Sequence, residues 1–273
     1  MRFSSSSIGN MSISSLFTRF FDLAIPKRCA VCRELVPKNS ALCPACEEEY
    51  KKERLAECGI CGHLLCECAC PTPYLSKHGV KRLVKLFRYR PSDTHGHSLN
   101  LLLYRLKHDN VSALRDFLAE DLKAAMDKTV GRPLPAVITF VPRTVRERRK
   151  YGFDQSGELA KALAKKTGIP FAVLLKRAAK TPPQKKLRST EERIKNAKAS
   201  YAPACEENLR GRTVFLLDDT VTTGSSIAAC AHILRTMGAR EIIAIAPFLS
   251  YRHKNIAFEH AKNSREERFY AKK

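Results

Sequence analysis

Residues 214–226 read Val-Phe-Leu-Leu-Asp-Asp-Thr-Val-Thr-Thr-Gly-Ser-Ser, and they hold the densest chemistry in the chain. An apolar run meets two carboxylates, Asp218 and Asp219. Hydroxyls around a glycine follow: Thr222, Thr223, Gly224, Ser225 and Ser226. In open α/β sheets ligands bind beyond the carboxyl ends of the strands. Small residues at the start of a helix free its backbone N–H groups to wrap a phosphate. Two carboxylates would repel that phosphate, so they need another task. Accepting hydrogen bonds from ribose hydroxyls, with Mg²⁺ nearby, fits them. The expectation is a pentose over the acids with its 5-phosphate in the loop. Asp-Asp after an apolar strand also resembles a Walker B element, but the chain has no G-x-x-x-x-G-K-[ST] to go with it.

A second constellation lies upstream. Nine of the eleven cysteines fall between Cys29 and Cys70, as Cys29-x2-Cys32, Cys43-x2-Cys46, Cys58-x2-Cys61, then Cys66, Cys68 and Cys70. A CxxC knuckle sets two thiolates on one tight turn, suited to a tetrahedral cation. Cys29, Cys32, Cys43 and Cys46 complete one zinc shell. Cys58 and Cys61 need two more ligands from the last three; Cys66 and Cys70 are the choice, with Cys68 close behind. All-thiolate shells leave no open position, so the zinc is expected to be structural. An odd count and adjacent CxxC pairs argue against a disulfide framework. The 16–25 stretch is interrupted by Arg19 and Asp22, which an export signal would not be. A cytoplasmic protein is expected.

These residues need a scaffold. Short apolar strands are expected at 80–89, 136–141, 214–217 and 242–248, and helices at 111–128, 155–167 and 225–237. Gly168 and Gly238 sit where helices would close. Strand, helix, strand at these lengths gives a parallel sheet with helices on both faces, an α/β fold behind a small cysteine-rich domain. The 273 residues suit more than one unit. No stretch approaches the ~18 apolar residues of a membrane span. The net charge of +22 makes a phosphorylated molecule or a polyanion an expected partner. The basic run 77–90, with six positive charges and no acid, reads as a solvated face or a phosphate-backbone contact.

The segment 214–226 resembles the phosphoribosyl pyrophosphate (PRPP) signature of type I phosphoribosyltransferases. The whole chain resembles the ComF family, in which a zinc ribbon precedes such a domain. The landmarks are Val141-Pro142, Tyr151-Gly152-Phe153-Asp154-Gln155, Thr181-x-x-Gln184-x-x-Leu187 with Arg193 and Asn196, and the signature itself. The resemblance runs from about Pro26 to Ser250 and implies a double zinc ribbon over 26–75 and a phosphoribosyltransferase-like domain over 76–250; a leader over 1–25 and a basic tail over 251–273 are expected outside it. It implies Asp218 and Asp219 as the catalytic pair on the ribose hydroxyls, and Thr222 to Ser226 on the 5-phosphate. Pro142, Arg143 and Thr144 would form a pyrophosphate loop, and Thr181, Gln184 and Arg193 a mobile loop that closes over the site. In the similar 6-oxopurine enzymes an acid stands where this chain has Thr222, which disfavours hypoxanthine or guanine as acceptor. Asp154 stands where relatives carry Asn, and capping the helix that begins at Gln155 is its expected role. Two functions are consistent with the family's link to competence and DNA uptake. One is a Mg²⁺-dependent phosphoribosyl transfer to an unidentified acceptor, a glycosyltransferase activity. The other is a non-catalytic adaptor that binds single-stranded DNA and import or recombination proteins. Phe87, Tyr89 and Tyr104 are the aromatic candidates for stacking on bases, although core or edge packing explains them better.

Overall fold

Strands buried on both faces should be apolar throughout, without alternation. Residues Ala136–Phe140 and Thr213–Leu217 follow that rule, with every side chain buried. A computed structural model describes residues 27–37, 40–89, 97–178 and 200–250. In chain order the elements are α1 (Pro44–Glu53), a 3-10 turn (Leu65–Glu67), α2 (Pro73–Lys77), β1 (Arg82–Tyr89), α3 (His97–His108) and α4 (Ser112–Thr129). Then come β2 (Ala136–Phe140), α5 (Val145–Tyr151), α6 (Gln155–Thr167), β3 (Leu175–Arg177) and β4 (Tyr201–Pro203). The chain continues through β5 (Thr213–Leu217), β6 (Thr220–Val221), α7 (Ser225–Thr236) and β7 (Glu241–Ser250).

The main sheet runs β1-β7-β5-β2, all parallel, with β6 added on β7. A separate antiparallel hairpin joins β3 and β4. The strands' two-residue period splits the core in two. Val84, Ile138, Phe215 and Ile243 face one side, with Leu102 of α3, Leu118 of α4 and Leu163 of α6. Leu83, Val137, Leu216 and Ala244 face the other, with Ile227, Cys230 and Leu234 of α7. This is the expected parallel α/β sheet covered on both faces.

β1 is an edge strand, and an exposed edge invites unwanted pairing. The cysteine-rich segment covers it. The Leu83 N–H donates to Ala69 O at 2.8 Å, and Arg88 donates to Glu57 O. Tyr50 of α1 packs on Phe87 at 4.9 Å and on Phe117 at 4.8 Å between ring centroids, while its hydroxyl donates to Asp121. Burying such aromatic rings stabilises by roughly 1.5–3 kcal/mol each. Phe87 is therefore a core residue, whereas Tyr104 stays exposed.

Four helices, α1, α2, α3 and α5, are absent from the sequence expectations. The α5 sequence Val-Arg-Glu-Arg-Arg-Lys-Tyr has no apolar period and buries none of its residues. Its ends hold it instead: Thr144 and Glu147 form a capping box, and Gly152 closes it at φ 79°. α2 begins at Pro73 behind Thr72, whose hydroxyl accepts from the Leu75 N–H. Asp154 caps α6 by accepting from the Gly157 N–H, as expected, and Gly168 ends it in the left-handed conformation. The basic run 77–90 is not a uniformly solvated face: Lys85 is buried and Arg82 pairs with Glu241 at 2.6 Å.

Candidate functional site

β5 is short and wholly buried, so it delivers Asp218 and Asp219 to the carboxyl edge of the sheet. The Asp218 N–H donates to Ile245 O at 2.9 Å, which fixes the turn. Asp218 Oδ1 accepts from the Asp219 N–H at 2.9 Å and from Ser156 Oγ at 3.3 Å. Asp219, only 8% exposed, accepts from Gln155 Nε2 at 2.8 Å. Lys107 Nζ and Arg143 Nη2 stand 3.9 and 4.0 Å from the same oxygen. Burial, and then the neighbouring Asp219 carboxylate, pushes the Asp218 carboxyl well above the usual carboxylate range. The Asp218 residue as a whole is half-buried.

The loop beyond the acids is braced from the cysteine-rich side. Thr72 Oγ1 donates to Thr223 O at 3.0 Å. Gly224 adopts φ 91°, and a Cβ there would stand 2.5 Å from Leu75 Cγ. Glycine is thus required twice over, by its backbone angle and by Leu75. Thr222 and Thr223 are exposed, while Ser225 and Ser226 are half-buried at the first turn of α7.

Pro142 and Arg143 lie beside this site. The Arg143 N–H donates to Asp154 Oδ2 at 2.8 Å, and its guanidinium donates to Lys107 O at 3.2 Å. Burial raises the Asp154 carboxyl, against the N–H donors of Arg143 and Gly157 and the nearby arginines. Thr144 is engaged in the α5 cap. Arg177 Nε donates to Pro142 O at 3.0 Å, and its guanidinium lies 4.3 Å over the Tyr201 ring. Thr181, Gln184 and Arg193 lie outside the described residues.

Among the described residues three buried side-chain atoms without a hydrogen-bond partner belong to this neighbourhood: Gln155 Oε1, Tyr201 Oη and Thr220 Oγ1. Orphaned buried polar atoms are costly, at ~1–3 kcal/mol each. A ligand or its water would satisfy them, and the donor set of two carboxylates with an amide oxygen suits Mg²⁺ as well as sugar hydroxyls. Lys107, Ser156 and Tyr201 were not singled out by their sequence context, and Gln155 stood only as the last residue of a family landmark. Lys107 only ends an apolar run, and Gln155 and Ser156 follow a helix cap.

The cysteines form two groups, Cys29, Cys32, Cys43, Cys46 and Cys58, Cys61, Cys68, Cys70, with sulfurs within 4.8 Å of one another. The expected place of Cys66 in the second group is corrected to Cys68. The turn Leu65–Glu67 aims Cys66 at Arg54 O, 3.9 Å away, and into the core with Tyr50. The chain then extends at Cys68, which packs with Cys58. Four thiols this close can ionise together only around a cation. Burial opposes ionisation of Cys29, but the Cys43, Cys32 and Val31 N–H groups bring it down to about 7. Its neighbour Cys46 is pushed up by burial and by Cys43. The geometry and the all-thiol donor set fit two structural zinc ions.

A phosphoribosyl transferase domain model matches residues 154–271. The DNA utilization protein YhgH of Salmonella typhi is 30% identical over 221 residues, 78% of this chain and 86% of that one. Competence protein F of Haemophilus influenzae is 29% identical over 224 residues, 79% of this chain and 93% of that one. A hypoxanthine phosphoribosyltransferase from Staphylococcus aureus superposes with a TM-score of 0.33 at 9% identity, over 51% of this chain and 73% of that one. The sheet is that of the type I phosphoribosyltransferase fold, and two cysteine clusters precede it. On the coverage of these relatives the chain belongs to the ComF/YhgH family.

Proposed function

We propose that this protein binds PRPP with Mg²⁺ at Asp218, Asp219 and the loop Thr222 to Ser226, and transfers its phosphoribosyl group to an acceptor during DNA uptake. The observation that carries the reading is the junction of a carboxylate pair, half-buried Asp218 and buried Asp219, with a hydroxyl loop exposed at Thr222 and Thr223 and three orphaned polar atoms. In this reading Asp218 and Asp219 accept from the ribose hydroxyls and orient C1. Thr222, Thr223, Gly224, Ser225 and Ser226 hold the 5-phosphate. Arg143, with Pro142 and Thr144, faces the pyrophosphate, and Lys107 is free to move from Asp219 toward it. Mg²⁺ supplies further neutralisation of the pyrophosphate. The C1–O bond to pyrophosphate breaks, pyrophosphate leaves with the electron pair, and an acceptor lone pair closes on C1. Thr181, Gln184 and Arg193 belong to the segment that would exclude water, since hydrolysis is the competing reaction. The relatives' names tie the family to competence and DNA utilization, and the same setting would make the protein cytoplasmic. Among the described residues no helix is long and apolar enough to cross a membrane.

Calorimetric titration of the zinc-loaded protein with PRPP and Mg²⁺, beside the Asp218→Asn/Asp219→Asn variant, tests this. Micromolar binding lost in the variant supports the site. No heat and no thermal shift from folded protein overturns it.

A second reading rests on α5. Its Arg146, Arg148, Arg149 and Lys150 are all exposed on a helix that buries nothing. Such a helix suits the phosphates of single-stranded DNA. It predicts binding that weakens steeply with salt and survives the Asp218→Asn/Asp219→Asn change.

A further inference from the structure

Lys85 occupies the middle of β1, where a strand covered on both faces calls for an apolar residue. It is 1% exposed, between the buried Val84 and Leu86. Its Nζ turns to the second cysteine cluster. It donates to Cys68 Sγ at 3.1 Å, Cys68 O at 3.2 Å and Cys70 O at 3.0 Å, with Leu83 O at 3.4 Å. A lysine ammonium has three N–H donors, and these contacts use all of them. Among the described residues no carboxylate pairs with it.

A buried cation must be paired. The group able to carry negative charge that Lys85 touches is the Cys68 sulfur, one of the cluster Cys58, Cys61, Cys68 and Cys70. Neutral thiols or a disulfide would leave Lys85 without a counter-charge. Four thiolates around one divalent ion leave two negative charges, of which a lysine cancels one.

We propose that Lys85 is the built-in counter-charge of the second cluster: it donates to the Cys68 sulfur and steadies the metal-bound form of that cluster. Lys85 is a positioning residue, acting through Cys68. The inference is independent of what binds at Asp218 and Asp219. It also makes the cysteine-rich segment electrostatically complete only when docked on β1, so the second cluster is shared between the ribbon and the sheet.

The test uses the full chain loaded with Co²⁺, unaltered and as Lys85→Met, which keeps the side chain's length without its charge. In competition with a chelator, one of the two ions should be lost at about 10–100-fold lower chelator concentration, as for other residues that support metal ligands. The sulfur-to-cobalt charge-transfer band of that ion alone should shift. Equal retention of both ions with an unchanged spectrum would overturn the proposal. Should the variant fail to fold, the unaltered protein loaded with ¹¹³Cd decides. A scalar coupling should link the Lys85 ammonium protons to one cadmium through the N–H···S bond. If backbone N–H couplings to cadmium appear and that one does not, the proposal fails.

Discussion

Two regions of this molecule crowd groups that tend to the same negative charge: the cysteine clusters and the Asp218–Asp219 pair. They resolve the crowding in opposite ways. In each cluster four sulfurs point at one another within 4.8 Å, so the shell has no vacant position and suits a structural ion. The carboxylates are held from the side. Gln155 and Ser156 donate to them, and Lys107 and Arg143 approach Asp219 only to 3.9 and 4.0 Å. Those cations are close enough to steady the acid and loose enough to turn to an incoming phosphate. Three polar atoms nearby remain without partners. A closed shell serves folding, whereas an open, imperfectly satisfied one serves a ligand.

Metal removal tests the closed half and should have the largest effect. Structural zinc binding contributes about 10–16 kcal/mol in small zinc domains. Chelation should strip amide-exchange protection from residues 27–70 and loosen β1, whose edge they cover. Protection that survives chelation would mean that apolar packing alone holds this segment.

The brace between the two regions comes next. Leu75→Ala should destabilise by about 2–5 kcal/mol, the usual cost of emptying a buried leucine site. It should also weaken PRPP binding, because Leu75 seats Gly224. Gly224→Ala should weaken binding through both its backbone angle and the 2.5 Å approach to Leu75. The double variant should be less damaged than the two single effects combined, since Leu75→Ala relieves the collision. Simple additivity, measured by chemical denaturation, would show that the two residues do not share a contact.

The open half should reveal itself through pH. The Asp218 carboxyl is raised in the folded protein, first by burial and then by Asp219. The folded state therefore binds more protons than the unfolded one above about pH 4. Stability from this group is present below that range and is lost as pH rises through the folded value. Asp218→Asn should then melt higher than the unaltered protein at about pH 7–8, with the gap closing toward about pH 4. An equal or lower melting temperature at neutral pH would mean that Asp218 is well solvated or well paired. The smallest effect belongs to Lys107→Met. A partly exposed pair near 4 Å contributes ~0.2–1 kcal/mol, so PRPP affinity should fall by no more than about fivefold in a titration.

Much of the site was legible because it is contiguous. The strand, acids, glycine and hydroxyls of 214–226 follow one another, and each CxxC knuckle is one turn. The α/β class followed from buried strands alternating with periodic helices. α5 was illegible for the complementary reason, because its caps make it and no apolar stripe announces it.

What the sequence by itself determined is thus local: which residues can hold phosphate, sugar hydroxyls or metal, and which strands must be buried. Tertiary structure decided the partners. Gln155 and Ser156 reach the acids from more than 60 residues away, and Lys107 and Arg143 come from two further elements. The 3-10 turn at Leu65–Glu67 decided between Cys66 and Cys68. Lys85 looked like one charge in a basic run until the fold buried it against a cluster. The physical reason is common to all of them. Hydrogen bonds and charge pairs depend on a few ångströms of separation, and between distant residues that separation is set by how the layers pack.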